Sequence, residues 1–251
     1  MKLNPSVFEQ TYPIRSVNIN SNKKLGLYGL LGLLQDITSE HAYDLNFGYE
    51  NMIKRGFIWV LIRQNLKMKA WPNWHDTLTI KTWTLPVDGF YGTREFEIFL
   101  KDEKIGACST IWMILDSVTR RPKKITDIET SFSPRSDYQL DFKANKIVTP
   151  GGLELNQNIQ VKNSDLDMHN HVNNIKYSQW ALDAIPFEYH KKYSITEFEI
   201  NFLHETLLGD DIALYSSTDL NTKNEVFFSG KNLKTSQEAF KIKMKIQEGL
   251  L

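Results

Sequence analysis

Leu27-Tyr28-Gly29-Leu30-Leu31-Gly32-Leu33-Leu34-Gln35-Asp36-Ile37-Thr38-Ser39-Glu40-His41-Ala42-Tyr43-Asp44-Leu45 carries apolar side chains at Leu27, Leu30, Leu31, Leu34, Ile37, Ala42 and Leu45. That spacing, close to 3.6 residues, predicts a helix. Gly26, Gly29 and Gly32 lower its intrinsic propensity, so tertiary packing must hold it and something must approach its backbone closely. A sheet wrapped around the helix meets both requirements. Downstream, β-rich runs at Ile58–Lys69, Thr77–Thr84, Thr93–Leu100 and Gly106–Leu115 are separated by Pro72-Asn73, Pro86-Val87-Asp88-Gly89 and Lys101-Asp102-Glu103. They predict antiparallel strands.

Thr119 to Pro150 is polar, contains proline and holds no sustained period, and reads as a linker that partly crosses the surface. From Gly151 the order recurs: a strand near Leu153–Lys162, a polar loop, a helix over Val172–Ile185 stopped by Pro186, then strands near Ile195–His204, Asp211–Ser217, Glu225–Asn232 and Phe240–Gln247. Trp74-His75-Asp76-Thr77-Leu78-Thr79-Ile80 falls against Leu208-Gly209-Asp210-Asp211-Ile212-Ala213-Leu214, each after a long strand. The expected fold class is α+β, a duplicated unit in which an antiparallel sheet wraps a central helix. The expected domains are residues 1–133 and 151–251, joined by a linker at 134–150.

At 251 residues and 41% hydrophobic content the chain can bury a real core. Lys plus Arg and Asp plus Glu balance at 30 each, which leaves no broad field for a nucleic acid. The one cysteine, Cys108, sits in an apolar run and reads as a small core residue. The N-terminus lacks an apolar signal-like region, and no stretch reaches the roughly 20 apolar residues that span a bilayer. A cytoplasmic protein is expected, without membrane partners.

The densest polar cluster is Asn163-Ser164-Asp165-Leu166-Asp167-Met168-His169-Asn170-His171-Val172-Asn173-Asn174, just before the second helix. A helix start offers unpaired N–H groups and partial positive charge, which can polarise a carbonyl and stabilise an oxyanion. The same residues also suit a helix cap and a solvated loop. No other histidine, cysteine or carboxylate completes a zinc spacing with His169 and His171, so neither metal nor cofactor is expected.

Motifs at several separated places resemble, in order, those of the acyl-acyl carrier protein (ACP) thioesterase family of plant plastids and bacteria. Gly56-Phe57-Ile58-Trp59-Val60-Leu61-Ile62-Arg63 with Trp71-Pro72-Asn73-Trp74-His75-Asp76 resembles its "WV…R" strand and "YPTWGD"-like turn. Ser109-Thr110-Ile111-Trp112-Met113-Ile114-Leu115-Asp116 and Thr119-Arg120-Arg121-Pro122-Lys123-Lys124-Ile125 resemble "SSVWVMMN…TRRLSKIP". Asp165-Leu166-Asp167 through His171-Val172-Asn173-Asn174-Ile175-Lys176-Tyr177 resembles "DLDxNxHVNNxKY".

The resemblance implies a tandem double hotdog fold and hydrolysis of fatty acyl-ACP, releasing fatty acid. It implies catalytic roles for Asp167 and His171, with His169 where the family has asparagine and Asn170 beside it as the alternative. The family's "EYRREC" falls on Asn201-Phe202-Leu203-His204-Glu205-Thr206, so Glu205 matches the glutamate and Thr206 stands where plant members carry cysteine. Direct attack by water, with Glu205 as base, is favoured over a thiol nucleophile. No equivalent set precedes the first helix, where Trp71 and Pro72 fall opposite Glu205 and Thr206. The first unit is expected to house the acyl chain, with Gly29, Leu30, Leu33 and Leu34 as wall candidates or simply core. Acidic ACP would dock on a local basic patch, first of all Arg120, Arg121, Lys123 and Lys124. An acyl-CoA thioesterase, a hotdog dehydratase and a non-catalytic acyl-binding protein remain alternatives, and the assembly is expected to be a monomer or homodimer.

Overall fold

The computed structural model describes residues 6–87, 89–128, 133–217 and 224–249. Asp88 in a predicted turn, residues 129–132 in the segment read as a linker, and residues 1–5 of the N-terminal stretch lie outside them. The chain divides into two compact units, residues 1–144 and 145–251.

In the first unit, β1 (Val7–Pro13) and a 3-10 turn (Ser16–Asn18) precede α1 (Leu27–Asp44) and α2 (Tyr49–Lys54). Then come β2 (Phe57–Met68), β3 (Thr77–Thr84), β4 (Tyr91–Leu100), β5 (Glu103–Asp116) and the short β6 (Pro122–Lys123). The strands are antiparallel in the order β1-β3-β4-β5-β2, with β6 on β5. The apolar stripe of α1 is buried at Leu30, Leu34 and Ile37, and it shares the core with the alternating Leu78, Ile80, Phe96 and Ile98. Period and alternation each bury one face, and two such faces close a core.

The second unit has β7 (Glu154–Gln160), α3 (Asn174–Asp183), α4 (Phe187–Lys192), β8 (Tyr193–Phe202), β9 (Asp211–Ser216), β10 (Glu225–Asn232) and β11 (Glu238–Glu248). Its order, β7-β9-β10-β11-β8, repeats that of the first unit strand for strand. On β11, Phe240, Ile242, Met244 and Ile246 are buried, while Lys245 pairs with Glu197 at 2.8 Å and Lys243 with Glu225 at 3.2 Å on the other face. The expected duplication extends to single hydrogen bonds. Ile14 N–H donates to Asp76 O at 2.8 Å and Val161 N–H to Asp210 O at 2.9 Å. The Asp76 and Asp210 carboxylates accept from Asn73 N–H at 2.8 Å and Leu207 N–H at 3.0 Å. His75 and Gly209 take the same left-handed corner at φ 74 and 77°.

Several elements differ from the sequence expectation. β1 went unread because an edge strand ending in Pro13 is buried irregularly rather than on every second residue. The six-residue α2 and α4 are too short to show a period, and Pro186, read as a stop, also starts α4. The backbone that presses on Gly29 belongs not to the sheet but to the 3-10 turn: a Cβ there would overlap the carbonyl of Asn18. The segment read as a linker is divided between the units. Arg135 N–H donates to Thr84 O at 2.8 Å and Leu140 N–H to Glu95 at 2.9 Å in the first, whereas Asn201 holds Asn145 and Ile147 at 3.0 and 2.8 Å in the second. No described helix is long and apolar enough to cross a membrane.

One layer of the first unit is polar. Arg94 Nη1 donates to His41 Nδ1 at 2.8 Å and Thr82 Oγ1 at 3.2 Å, and Arg94 and His41 are 7% and 4% exposed. A guanidinium only donates, so His41 accepts at Nδ1 and is neutral. Burial, and then the Arg94 charge, bring its pKa down to about 3. The unfolded chain therefore takes up a proton near the ordinary histidine value of 6.5, and the folded chain does not until about pH 3. The resulting stabilisation is complete above pH 6.5 and shrinks as pH falls. Between pH 7 and 5, denaturant unfolding should show the native protein losing about 2 kcal/mol more than His41→Gln. Parallel losses in both would contradict a neutral buried His41.

Candidate active site

The loop before α3 is closed by its own backbone. Asp167 N–H donates to His171 O at 2.8 Å, Asn170 N–H returns to Asp167 O at 3.1 Å, and His169 N–H reaches Asp167 Oδ1 at 2.8 Å. Asn170 takes the left-handed conformation at φ 61°, which asparagine tolerates well. Asp165, buried beneath, accepts from Lys162 N–H at 2.8 Å and lies 3.5 Å from Lys176 Nζ. Val172 N–H then donates to Thr206 O at 3.0 Å, and His171 bridges Leu207. This stitch fastens the loop to the chain leaving β8.

The consequence is a pair: His171 Nε2 and Glu205 Oε2 stand 3.8 Å apart, with side chains 31% and 44% exposed. That is too long for a direct hydrogen bond and suits one shared water. Thr206 points the other way. It is fully buried, and its hydroxyl makes no hydrogen bond of standard geometry, although it lies near enough to the Tyr177 hydroxyl to offset slightly the burial that raises Tyr177 to about 12. The Tyr177 ring packs edge-on against Trp180, Phe202 and Phe240, which makes it a floor for the loop that the motif reading left without a role.

The other predicted residues divide. Asp167 is tied to His171 through the main chain, while its carboxylate serves His169 N–H. His169 and Asn170 are both exposed. The start of α3 is less open than expected, because the Asn173 side chain itself accepts Ile175 N–H at 3.0 Å. Leu30 and Leu34 are fully buried and Leu33 half-buried; Gly29 faces Asn18 rather than an open space. Arg121, Lys123 and Lys124 are exposed, Lys123 lying 3.8 Å from Asp116, and Arg120 is half-buried. Cys108 is buried, its thiol pushed up to about 12 by desolvation, which removes it as a nucleophile.

The first unit repeats this loop without its chemistry. Asn20 N–H donates to Lys24 O at 2.8 Å, Lys23 N–H to Asn20 O at 3.0 Å, and Asn22 N–H to Asn20 Oδ1 at 3.0 Å, with Lys23 at φ 60°. Leu25 N–H donates to Pro72 O at 2.8 Å. Bond for bond, Asn20, Asn22, Lys24 and Trp71 occupy the places of Asp167, His169, His171 and Glu205.

Two family models match: the acyl-ACP thioesterase N-terminal domain over residues 5–130 and the acyl-ACP thioesterase C-terminal domain over residues 152–249. The chain is similar to oleoyl-acyl carrier protein thioesterase 2 of Arabidopsis thaliana chloroplasts, 26% identical over 87% of this chain and 64% of that protein. It is similar to the dodecanoyl-[acyl-carrier-protein] hydrolase of Cinnamomum camphora, 27% identical over 84% of this chain and 59% of that protein. It thus spans less than two thirds of these chloroplast relatives. In fold it is similar to the crystal structure of an acyl-ACP thioesterase from Bacteroides thetaiotaomicron, with TM-score 0.82 and 23% identity over 96% of this chain and 98% of that one. It is likewise similar to the 12:0-ACP thioesterase of Umbellularia californica, with TM-score 0.85 and 20% identity over 99% and 100%.

Proposed function

From the premise that this chain belongs to the acyl-ACP thioesterase family, we propose that it hydrolyses the thioester of fatty acyl-ACP, releasing the fatty acid and the carrier's thiol. The observation that carries this reading is the solvent-reached pair of His171 and Glu205, 3.8 Å apart at the end of a rigid loop. Glu205 takes a proton from water as the water oxygen bonds to the thioester carbon. The C–S bond then breaks, and the pantetheine sulfur leaves with a proton supplied by His171. A thiolate is a good leaving group, so most of the benefit comes from activating and placing the water. Asp167 acts through the backbone that sets His171, and Thr206 takes no part.

Docking of the acidic carrier falls to Arg121, Lys123 and Lys124, with Arg120 shaping the turn. The acyl chain is assigned to the first unit, and the catalytic step to the second.

The test is release of free acid and free thiol from a C8 to C18 panel of acyl-ACPs and the matching acyl-CoAs. The native protein should turn over the ACP panel, Glu205→Gln should fall at least about 100-fold, and Thr206→Val should remain within a few-fold. Near-normal turnover by folded Glu205→Gln would remove it as the base; collapse of Thr206→Val would restore a role for that hydroxyl. Charge reversal of Arg121, Lys123 and Lys124 should raise KM for carrier-linked substrate and leave a small thioester unaffected. Equal effects on both would refute docking there.

A further inference from the structure

The polar layer around Arg94 has no counterpart in the second unit. Counted from the shared turn at Asp76 and Asp210, Ile80 pairs with Ile98 and Leu214 with Gly230, which puts Val226 where Arg94 stands. Across the sheet Arg94 faces Thr110 and Thr110 faces Gln64, whereas Val226 faces Met244 and Met244 faces Phe198. One scaffold thus carries three polar residues in the first unit and three apolar ones in the second. The fold does not require a charge at this level.

Nor do the described residues neutralise it. Both hydrogen bonds that Arg94 makes among the described residues come from Nη1, to His41 and Thr82, so no described residue accepts from Nε or Nη2. No described carboxylate pairs with the guanidinium, and only the negative end of the α1 dipole, whose last turn contains His41, offsets it in part. One neighbouring acceptor is already engaged: the Thr110 hydroxyl donates to Arg94 O and accepts from Trp112 Nε1, both at 2.9 Å. Burial alone brings the Arg94 pKa down to about 10, so the group is charged at neutral pH. A mostly buried cation with open donors is stabilised where water or an anionic ligand reaches them.

The surroundings select the ligand. Phe8 stacks on His41 at 5.1 Å, and Ile37 and Phe96, on the adjoining turns of α1 and β4, are fully buried. Three free donors on a planar fork suit a carboxylate, and apolar walls suit a hydrocarbon attached to it. We propose that the first unit contains a fatty carboxylate site, in which Arg94 binds the anion and neutral His41 and Thr82 orient the guanidinium. The proposal rests on the reading of the substrate as a fatty acyl thioester. The carboxylate has two possible sources: the released fatty acid, which would then inhibit the enzyme, or the far-end carboxyl of a dicarboxylic acyl substrate.

The experiment is calorimetric binding and inhibition of acyl-ACP hydrolysis with dodecanoate against dodecanol, and with palmitate against hexadecanol. In the native protein each acid should bind and inhibit at least about tenfold more strongly than its alcohol. The gap should close in Arg94→Met and partly return in Arg94→Lys, with thermal unfolding used to verify that both variants are folded. A parallel assay compares dodecanoyl-ACP with its ω-carboxy analogue. A tenfold preference for the analogue that Arg94→Met abolishes would identify the substrate as the source, and acid inhibition without that preference would identify the product. Equal binding of acid and alcohol by the native protein, with no preference for the ω-carboxy substrate, would overturn the site while hydrolysis of dodecanoyl-ACP left the thioesterase reading standing. An acid-over-alcohol gap that survives in Arg94→Met would overturn it equally. Absence of any hydrolysis would count against the thioesterase reading alone, since calorimetry reads the site without turnover.

Discussion

A backbone stitch, the hydrogen bond from Val172 N–H to Thr206 O with the His171–Leu207 bridge beside it, holds the candidate site together. It joins two stretches far apart in sequence, the polar loop ahead of α3 and the chain leaving β8, and it does so with main-chain atoms whose position the sheet determines. Side chains on either side of the stitch then have little freedom in where they project. His171 precedes the donor and Glu205 precedes the acceptor, so both fall on the same side and meet across 3.8 Å. Thr206 projects to the opposite side, into the floor formed by Tyr177. The positions of Glu205 and His171 and the burial of the Thr206 hydroxyl all follow from one register.

The first unit forms the same backbone without the residues of the candidate site. Leu25 and Pro72 make the same stitch, Lys23 takes the same left-handed turn, and Asn20 caps the same loop. Yet Lys24 and Trp71 stand where His171 and Glu205 would be. The loop is therefore a structural element of the duplicated unit, and the proposed chemistry belongs to the His171 and Glu205 side chains placed upon its second copy. The Arg94 layer is the converse: a place where the first unit departs from the apolar packing that the second retains, at a cost in desolvation.

Much of this was legible in the sequence where one physical signal dominated. The 3.6 period of Leu27 to Leu45 and the turn at Asp76 and Asp210 each led to an element or a register seen in the structure. The polar loop stood out because charged and amide residues gather where a helix begins, although it was the family likeness that separated Asp167 and His171 from ordinary capping residues. β1 escaped because an edge strand has only one neighbour to satisfy, and α2 and α4 escaped because six residues hold less than two turns. The Arg94 and His41 pair was invisible for a different reason. An isolated arginine in a β-rich run reads as an outward residue, and only the register reveals that it faces the core beside a helical histidine. The twin loop carries a signal in the sequence too: Asn20, Asn22 and Lys24 precede Leu25 and its helix at the same spacing by which Asp167, His169 and His171 precede Val172 and α3.

The central claim is that two copies of one loop exist and only the second is armed. The most direct measurement is kcat/KM for acyl-ACP hydrolysis in His171→Ala and Lys24→Ala, the same substitution at matching positions of the two loops. The expected result is a loss of at least about 100-fold for His171→Ala and a change within about threefold for Lys24→Ala, whose side chain the proposed chemistry does not use. Comparable losses in both, or a His171→Ala protein that keeps its turnover, would contradict it.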